Sequence, residues 1–200
     1  MSDLIHSGEI QQKFAEIVAE SLSVDVEQVK ADSTLEELGA QSLDVVEISM
    51  ETESTFNVWL PDKSILDVAI EAAGRDAMLD GKLLSEFGKD LFRARLAREE
   101  WDLLKGDVTV ADLQQYFMRV STWVRMIQDL REHTPKACAE CKHGDLSDRP
   151  GFVLACDACG HEMKLRSGEE INRDWVESYL AAHGSAVVDR GTAAEGSARQ

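Results

Sequence analysis

Two groups of residues in this 200-residue chain have types and spacings that could do chemistry. The first is Ser42, within LGAQSLDVVE (residues 38–47). Gly39 permits a turn that lifts the chain clear of a core, and Ser42 then falls at the start of a helix. The free N–H groups and positive dipole end of that helix favour a phosphate on the Ser42 oxygen. Asp44, Glu47, Glu51 and Glu53 give the helix an anionic surface on which a basic enzyme could dock. The plainer reading is that Ser42 is a helix cap, worth about 1 kcal/mol. A catalytic serine is disfavoured. The Gly-x-Ser-x-Gly elbow is absent, and His6, His133, His143, His161 and His183 all lie outside the motif.

The second group is Cys138-x2-Cys141 and Cys156-x2-Cys159, two pairs separated by fourteen residues. That is the spacing of a four-cysteine zinc ribbon. Each Cys-x-x-Cys turn puts both sulfurs on one side of a knuckle, and Gly160 suits the turn after the second pair. Four thiolates would close a tetrahedral shell, leave no open position and supply most of the module's folding energy. Disulfides, an iron site or redox use are the alternatives. His133, His143 and His161 flank the knuckles, where one could replace a cysteine, but surplus histidines beside four cysteines are more often bystanders. Residues 132–166 hold five basic against six acidic side chains, so the ribbon has no patch for nucleic acid. A small interaction or stabilising module is expected. Leu146, Phe152, Leu154 and Met163 belong either to its docking surface or to its small core.

The elements that must position these groups are mostly helical. Residues 8–23 carry an apolar stripe of Phe14, Ile17, Val18 and Leu22 at three- and four-residue steps. Residues 24–41 read as a long loop pinned by Val24, Val26 and Val29. A helix over 42–56 is expected with Leu43, Val46, Met50 and Phe56 inward. Residues 64–105 are helical but untidy: Ile65 to Ile70 suggest a short helix, and Leu83, Leu84, Phe87, Leu91, Phe92 and Leu96 form an amphipathic stripe. One strong helix is expected over 109–131, capped by Thr109. In the cysteine segment, Phe152 to Leu154 and Met163 to Leu165 are β-prone. Residues 169–183 form a short helix, and the small, polar tail 184–200 is expected to be disordered.

The net charge is −17, and residues 1–66 hold fourteen acidic against three basic side chains. That argues against nucleic acid and anionic membranes as partners and suits proteins with basic patches. The first ten residues have no basic and apolar segments of a secretory signal, and no apolar run approaches a membrane span. A cytoplasmic setting with reduced cysteines follows as the expectation.

The segment LGAQSLDVVEISMETESTFNVWLPD resembles the acyl carrier protein family along its whole length. The glycine, Ser-Leu-Asp, the Val-Glu pair, Phe56 and Leu60-Pro61-Asp62 fall at the family's spacing. Helix 8–23 and DSTLEELGA resemble its first helix and loop, and DVTVADLQQYF (107–117) its closing helix. The resemblance implies a mainly α fold: a carrier-like four-helix bundle over 1–131, with an inserted helical segment at about 64–106. A zinc-ribbon β module (132–168) and a short C-terminal helix follow. It implies a carrier rather than an enzyme, with 4′-phosphopantetheine on Ser42 holding an acyl-type intermediate as a thioester. The partners implied are a phosphopantetheinyl transferase, acting from coenzyme A with magnesium, and acyl-loading, elongating or transferring enzymes. Docking would use Leu43, Asp44, Glu47, Met50, Glu51 and Glu53.

Two features depart from the family. Gln41 stands where fatty-acid carriers usually have Asp, while peptide-carrying relatives commonly have His or Asn. The insertion resembles that of longer carriers, where a stretch like KLLSEFGKDLFRARL precedes the last helix and which tend to serve specialised lipid or polyketide pathways. A peptidyl or aminoacyl carrier, and a scaffold that keeps the fold without carrying cargo, are the alternatives.

Overall fold

The computed structural model describes residues 7–96 and 102–183. The expected disordered tail, 184–200, lies outside the described residues. The fold is mainly helical, with α1 (Ser7–Leu22), a 3-10 turn (Val26–Gln28), α2 (Ser42–Phe56), α3 (Ile65–Ala73) and α4 (Arg75–Met78). A hairpin of β1 (Leu79–Asp80) and β2 (Leu83–Leu84) follows, then α5 (Glu86–Arg95), α6 (Val110–Phe117) and α7 (Val120–Glu132). The chain closes with β3 (Leu146–Arg149), β4 (Val153–Cys156), β5 (Glu162–Lys164) and α8 (Gly168–His183). It divides into two compact units, Met1–Leu60 with Gln114–Gly168, and Pro61–Leu113 with Glu169–Gln200.

In the first unit α1 packs on α2 and α7. Its core contains the fully buried Phe14, Val18, Leu35, Ile48, Phe56, Val120 and Ile127. Phe14 stacks on Trp123 with ring centroids 5.4 Å apart. The inward stripe of α2 is Ile48, Thr52 and Phe56, spaced four residues apart. Leu43, Val46 and Met50, expected inward, point out instead and are 82%, 55% and 66% exposed. At 3.6 residues per turn they lie on the side opposite Ile48 and Thr52. The helix has apolar residues on two faces, and packing of Ile48 and Phe56 sets which one is buried.

The helix expected over 109–131 is interrupted between Phe117 and Val120. Arg119 is extended, with φ −73° and ψ 141°. Residues 118–121 bind the loop before Ser42 instead. Met118 C=O accepts from the Leu35 N–H at 2.9 Å, and Thr34 bridges Arg119. The N–H groups of Val120 and Ser121 donate to Ser33 and Ala31 at 3.0 and 2.9 Å. Pairing to a distant loop has outweighed helical periodicity. Thr109 does cap α6, its hydroxyl accepting from Asp112 N–H while Asp112 accepts from Thr109 N–H. The Thr109 hydroxyl and then its N–H hold the Asp112 carboxyl below the usual range.

The ribbon belongs to the first unit. Its sheet has the antiparallel order β3-β4-β5, with Leu146 opposite Cys156 and Leu154 opposite Met163. Strand β3, LSDR, carries no strand signal and was not expected. Phe152 sits in the β3–β4 turn at φ 61°, not in a strand as expected. The sheet meets the segment that follows α2. Phe152 stacks on Trp59 with centroids 5.1 Å apart and an 11° interplanar angle, and Lys164 Nζ lies 4.7 Å from the Trp59 ring. Asn57 Nδ2 donates to Asp148 at 2.6 Å. The Gly168 N–H donates to Trp59 C=O at 2.8 Å.

In the second unit, Ser64 caps α3 and Ser85 caps α5, each hydroxyl accepting a backbone N–H. Leu83 and Leu84, expected to open the amphipathic helix, are in β2. Leu84 N–H donates to Val108 C=O at 2.8 Å, and Leu83 bridges Thr109, so strand pairing claims them. Gly88 packs so closely that a Cβ there would lie 2.5 Å from the Met78 carbonyl oxygen. Helix α8 meets α5 through Phe87 against Tyr179 and Arg95 over Trp175. It meets α3 through Lys63 and Arg173, which pair with Glu71 and Glu169.

Candidate functional site

Ser42 is the first residue of α2 and is exposed. Three local features put it there. Thr34 and Glu37 cap each other reciprocally, Glu37 N–H to the Thr34 hydroxyl at 3.1 Å and Thr34 N–H to the Glu37 carboxylate at 2.9 Å. Fully buried Leu35 anchors the loop, and its C=O accepts from Ala40 N–H at 2.9 Å. Gly39, at φ 97°, then reverses the chain in a conformation that favours glycine.

The cap of α2 is Gln41, not Ser42. Its N–H donates to the Asp44 carboxylate at 2.7 Å. The Ser42 hydroxyl has no hydrogen-bond partner among the described residues. The helix therefore does not use it, and it stands free at a positive dipole end. None of His133, His143, His161 or His183 is brought to it as a base by any hydrogen bond among the described residues. His6 lies outside them.

The expected docking residues divide by environment. Leu43, Glu47, Met50 and Glu51 are exposed. Asp44 is engaged by the cap, and Glu53 is turned back, accepting from Leu60 N–H at 2.9 Å. Val46 joins Leu43 and Met50 on the outer face. Its inward assignment hid it, although its spacing of three and four residues from the other two is visible in the sequence.

The four cysteines converge. Their sulfurs all lie within 4.8 Å of one another. Cys138 and Cys159 are 3.7 Å apart, and Cys141 and Cys156 are 3.5 Å apart. A tetrahedral shell with metal–sulfur bonds of about 2.3 Å has edges of about 3.8 Å. The two knuckles share one backbone pattern. Cys138 N–H donates to His143 C=O and Cys156 N–H to His161 C=O, at 2.8 and 2.9 Å. Lys142 N–H returns to Cys138 C=O and Gly160 N–H to Cys156 C=O. Lys142 at φ 60° occupies the place of Gly160 at φ 73°. The histidines serve through their carbonyls, while His143 Nε2 pairs with Asp145 at 2.9 Å.

Thiols this close cannot all ionise unaided. The Cys141 N–H, then that of Glu140, together with the Cys159 and Cys141 thiols, bring Cys138 down to about 6. Cys159 is acted on most by the His161 N–H, which lowers it. The Cys141 thiol, burial and the other two thiols outweigh that and push it up to about 12. The cluster is a donor set that a cation would complete.

The family match falls on the Ser42 segment. The family described as "Phosphopantetheine attachment site" matches residues 12–69, which include the Ser42 turn and all of α2. The chain is 45% identical over 62 residues to the acyl carrier protein of Prochlorococcus marinus (strain MIT 9515). That match covers 30% of this chain and 78% of the relative. No solved structure matches. The chain belongs to the acyl carrier protein family, whose members are phosphopantetheine-bearing carriers.

Proposed function

We propose that Ser42 is the attachment point for 4′-phosphopantetheine and that the chain delivers an acyl-type thioester to enzymes of a specialised lipid or polyketide pathway. The observation that supports this most is the exposed Ser42 hydroxyl, without a hydrogen-bond partner among the described residues, at the start of a helix capped by Gln41 and Asp44. In the attachment step, Ser42 Oγ attacks the pantetheine-side phosphorus of the coenzyme A pyrophosphate. Its proton passes to the transferase, the new O–P bond forms as the P–O bond of the pyrophosphate breaks, and adenosine 3′,5′-bisphosphate leaves with that oxygen. The prosthetic group supplies a thiol on a flexible arm. The chain supplies the hydroxyl and a docking face: Leu43, Val46 and Met50, flanked by Glu47 and Glu51, match a partner with apolar contacts ringed by basic groups. Asp44 and Glu53 support that face by shaping the ends of α2.

Cys138, Cys141, Cys156 and Cys159 would hold a structural Zn2+, for which their number, sulfur chemistry and spacing are suited. Reduced thiols and the acidic surface fit a cytoplasmic protein. We place the carrier domain at residues 1–131 and the ribbon at 132–168, docked on the end of α2.

The test is intact-mass spectrometry after co-expression with a promiscuous phosphopantetheinyl transferase. Wild type should gain one phosphopantetheine mass and Ser42→Ala none. An unshifted wild type would sink the carrier reading.

A further inference from the structure

Three separate pieces of the ribbon converge on the residues immediately after α2. Asp148, in β3, takes the side chain of Asn57, the left-handed C-cap of α2. Phe152, in the β3–β4 turn, covers Trp59. From the far side of the sheet, Lys164 lies over the Trp59 ring, Ser167 bridges Trp59, and Gly168 N–H binds its carbonyl. Through these contacts the ribbon holds Asn57 and Trp59, the residues that follow α2, while Arg131 of α7 donates to the Phe56 C=O of its last turn at 2.9 Å. The Asn57 and Val58 N–H groups both return to Glu53 C=O, and Leu60 N–H returns to the Glu53 carboxylate.

The ribbon cannot hold this grip by packing alone. Its strands are four, four and three residues long. Its buried side chains are few: Cys138, Leu154, Ala155, Cys156, Leu165 and Ser167. A module this small needs a metal or another staple. The ligands and the grip are closely linked, because Cys156 pairs with Leu146 and Asp148 lies two residues further along the same strand.

Phe152 adds a second sign that the contact is built. A bulky residue at φ 61° is in a strained, left-handed conformation where glycine is the ordinary choice. The turn tolerates it while the aromatic ring lies flat on Trp59.

We propose that the ribbon is a metal-set clamp on the C-terminal end of α2. Closure of the four-cysteine cluster holds Asn57–Leu60 in place, and loss of the metal releases them and frays the last turn of the helix that begins at Ser42. The clamp rests on the zinc reading above, and its bearing on cargo delivery rests on the carrier reading.

Hydrogen–deuterium exchange on the full chain tests it, with zinc bound and after chelation, and with zinc content measured on the same samples. Chelation should speed exchange of amides 53–60 by about tenfold while those of α1 stay protected. Phe152→Gly relaxes the turn and removes the stack. It should keep one zinc per chain yet show fast exchange at 53–60 already with zinc bound. Should Phe152→Gly fail to fold, Trp59→Leu makes the same cut from the other side. Equal protection with and without zinc, in a chain that binds it, overturns the clamp alone. Wild-type protection in the zinc-bound variant does the same. A chain that binds no zinc overturns the metal reading and the clamp together.

Discussion

The Gln41 N–H donates to the Asp44 carboxylate at 2.7 Å, so the helix that begins at Ser42 is capped without Ser42. Removing the Ser42 hydroxyl should therefore cost almost nothing in stability. Asp44→Ala should cost about 1 kcal/mol, the usual worth of a helix N-terminal cap. Urea unfolding of the unmodified proteins measures both. A loss for Ser42→Ala equal to that for Asp44→Ala would return Ser42 to a capping role.

The serine motif was legible because its signals are local: a glycine turn, a helix start and an acidic run within a few residues. The cysteine cluster was legible because ligand spacing is nearly a geometric code. What was hidden depended on distant partners. Nothing near Phe117 announces a helix break, since the loop that binds 118–121 lies more than eighty residues earlier in the chain. Leu83 and Leu84 fit a helical stripe until Val108 and Thr109 claim them as strand. The buried face of α2 is not legible in the sequence because apolar side chains line both sides of it, and only packing of Ile48 and Phe56 decides between them.

That decision is testable at the side chains. Replacing Leu43, Val46 and Met50 together by Ser should change folding stability by no more than about 0.5 kcal/mol per site, because all three are exposed. Ile48→Ala should cost about 2–5 kcal/mol and Phe56→Ala about 3–5 kcal/mol. Chemical denaturation separates these outcomes. If the outer face is the docking face, the triple variant should also lower the kcat/KM of phosphopantetheinylation while folding normally. Unchanged kinetics would remove those three residues from the docking surface.

Gly88 makes a prediction in the second unit. It lies within α5, where Ala is ordinarily the better helix former by about 1 kcal/mol. Here the added methyl would meet the Met78 carbonyl oxygen at 2.5 Å and Leu84 Cδ2 at 3.2 Å. Gly88→Ala should therefore destabilise, by about 1–3 kcal/mol, the cost of overpacking. Thermal melting that shows a gain would mean that α4, β2 and α5 can shift apart.

The thiol environments predict how metal binding depends on pH. Cys138, at about 6, is already a thiolate at pH 7.5, whereas Cys159, at about 12, is protonated. Zinc binding at pH 7.5 must displace the Cys159 proton but none from Cys138. As pH falls through 6, Cys138 takes up its proton in the metal-free protein, so binding there releases about one more proton and weakens more steeply with further acidification. The sign follows from the lowered group: its contribution is present above its own titration and lost below it. Calorimetric titration of zinc in buffers of different ionisation enthalpy counts the protons. The count should rise by about one between pH 7.5 and pH 5, and a count that stays level would show that Cys138 is not the lowered thiol.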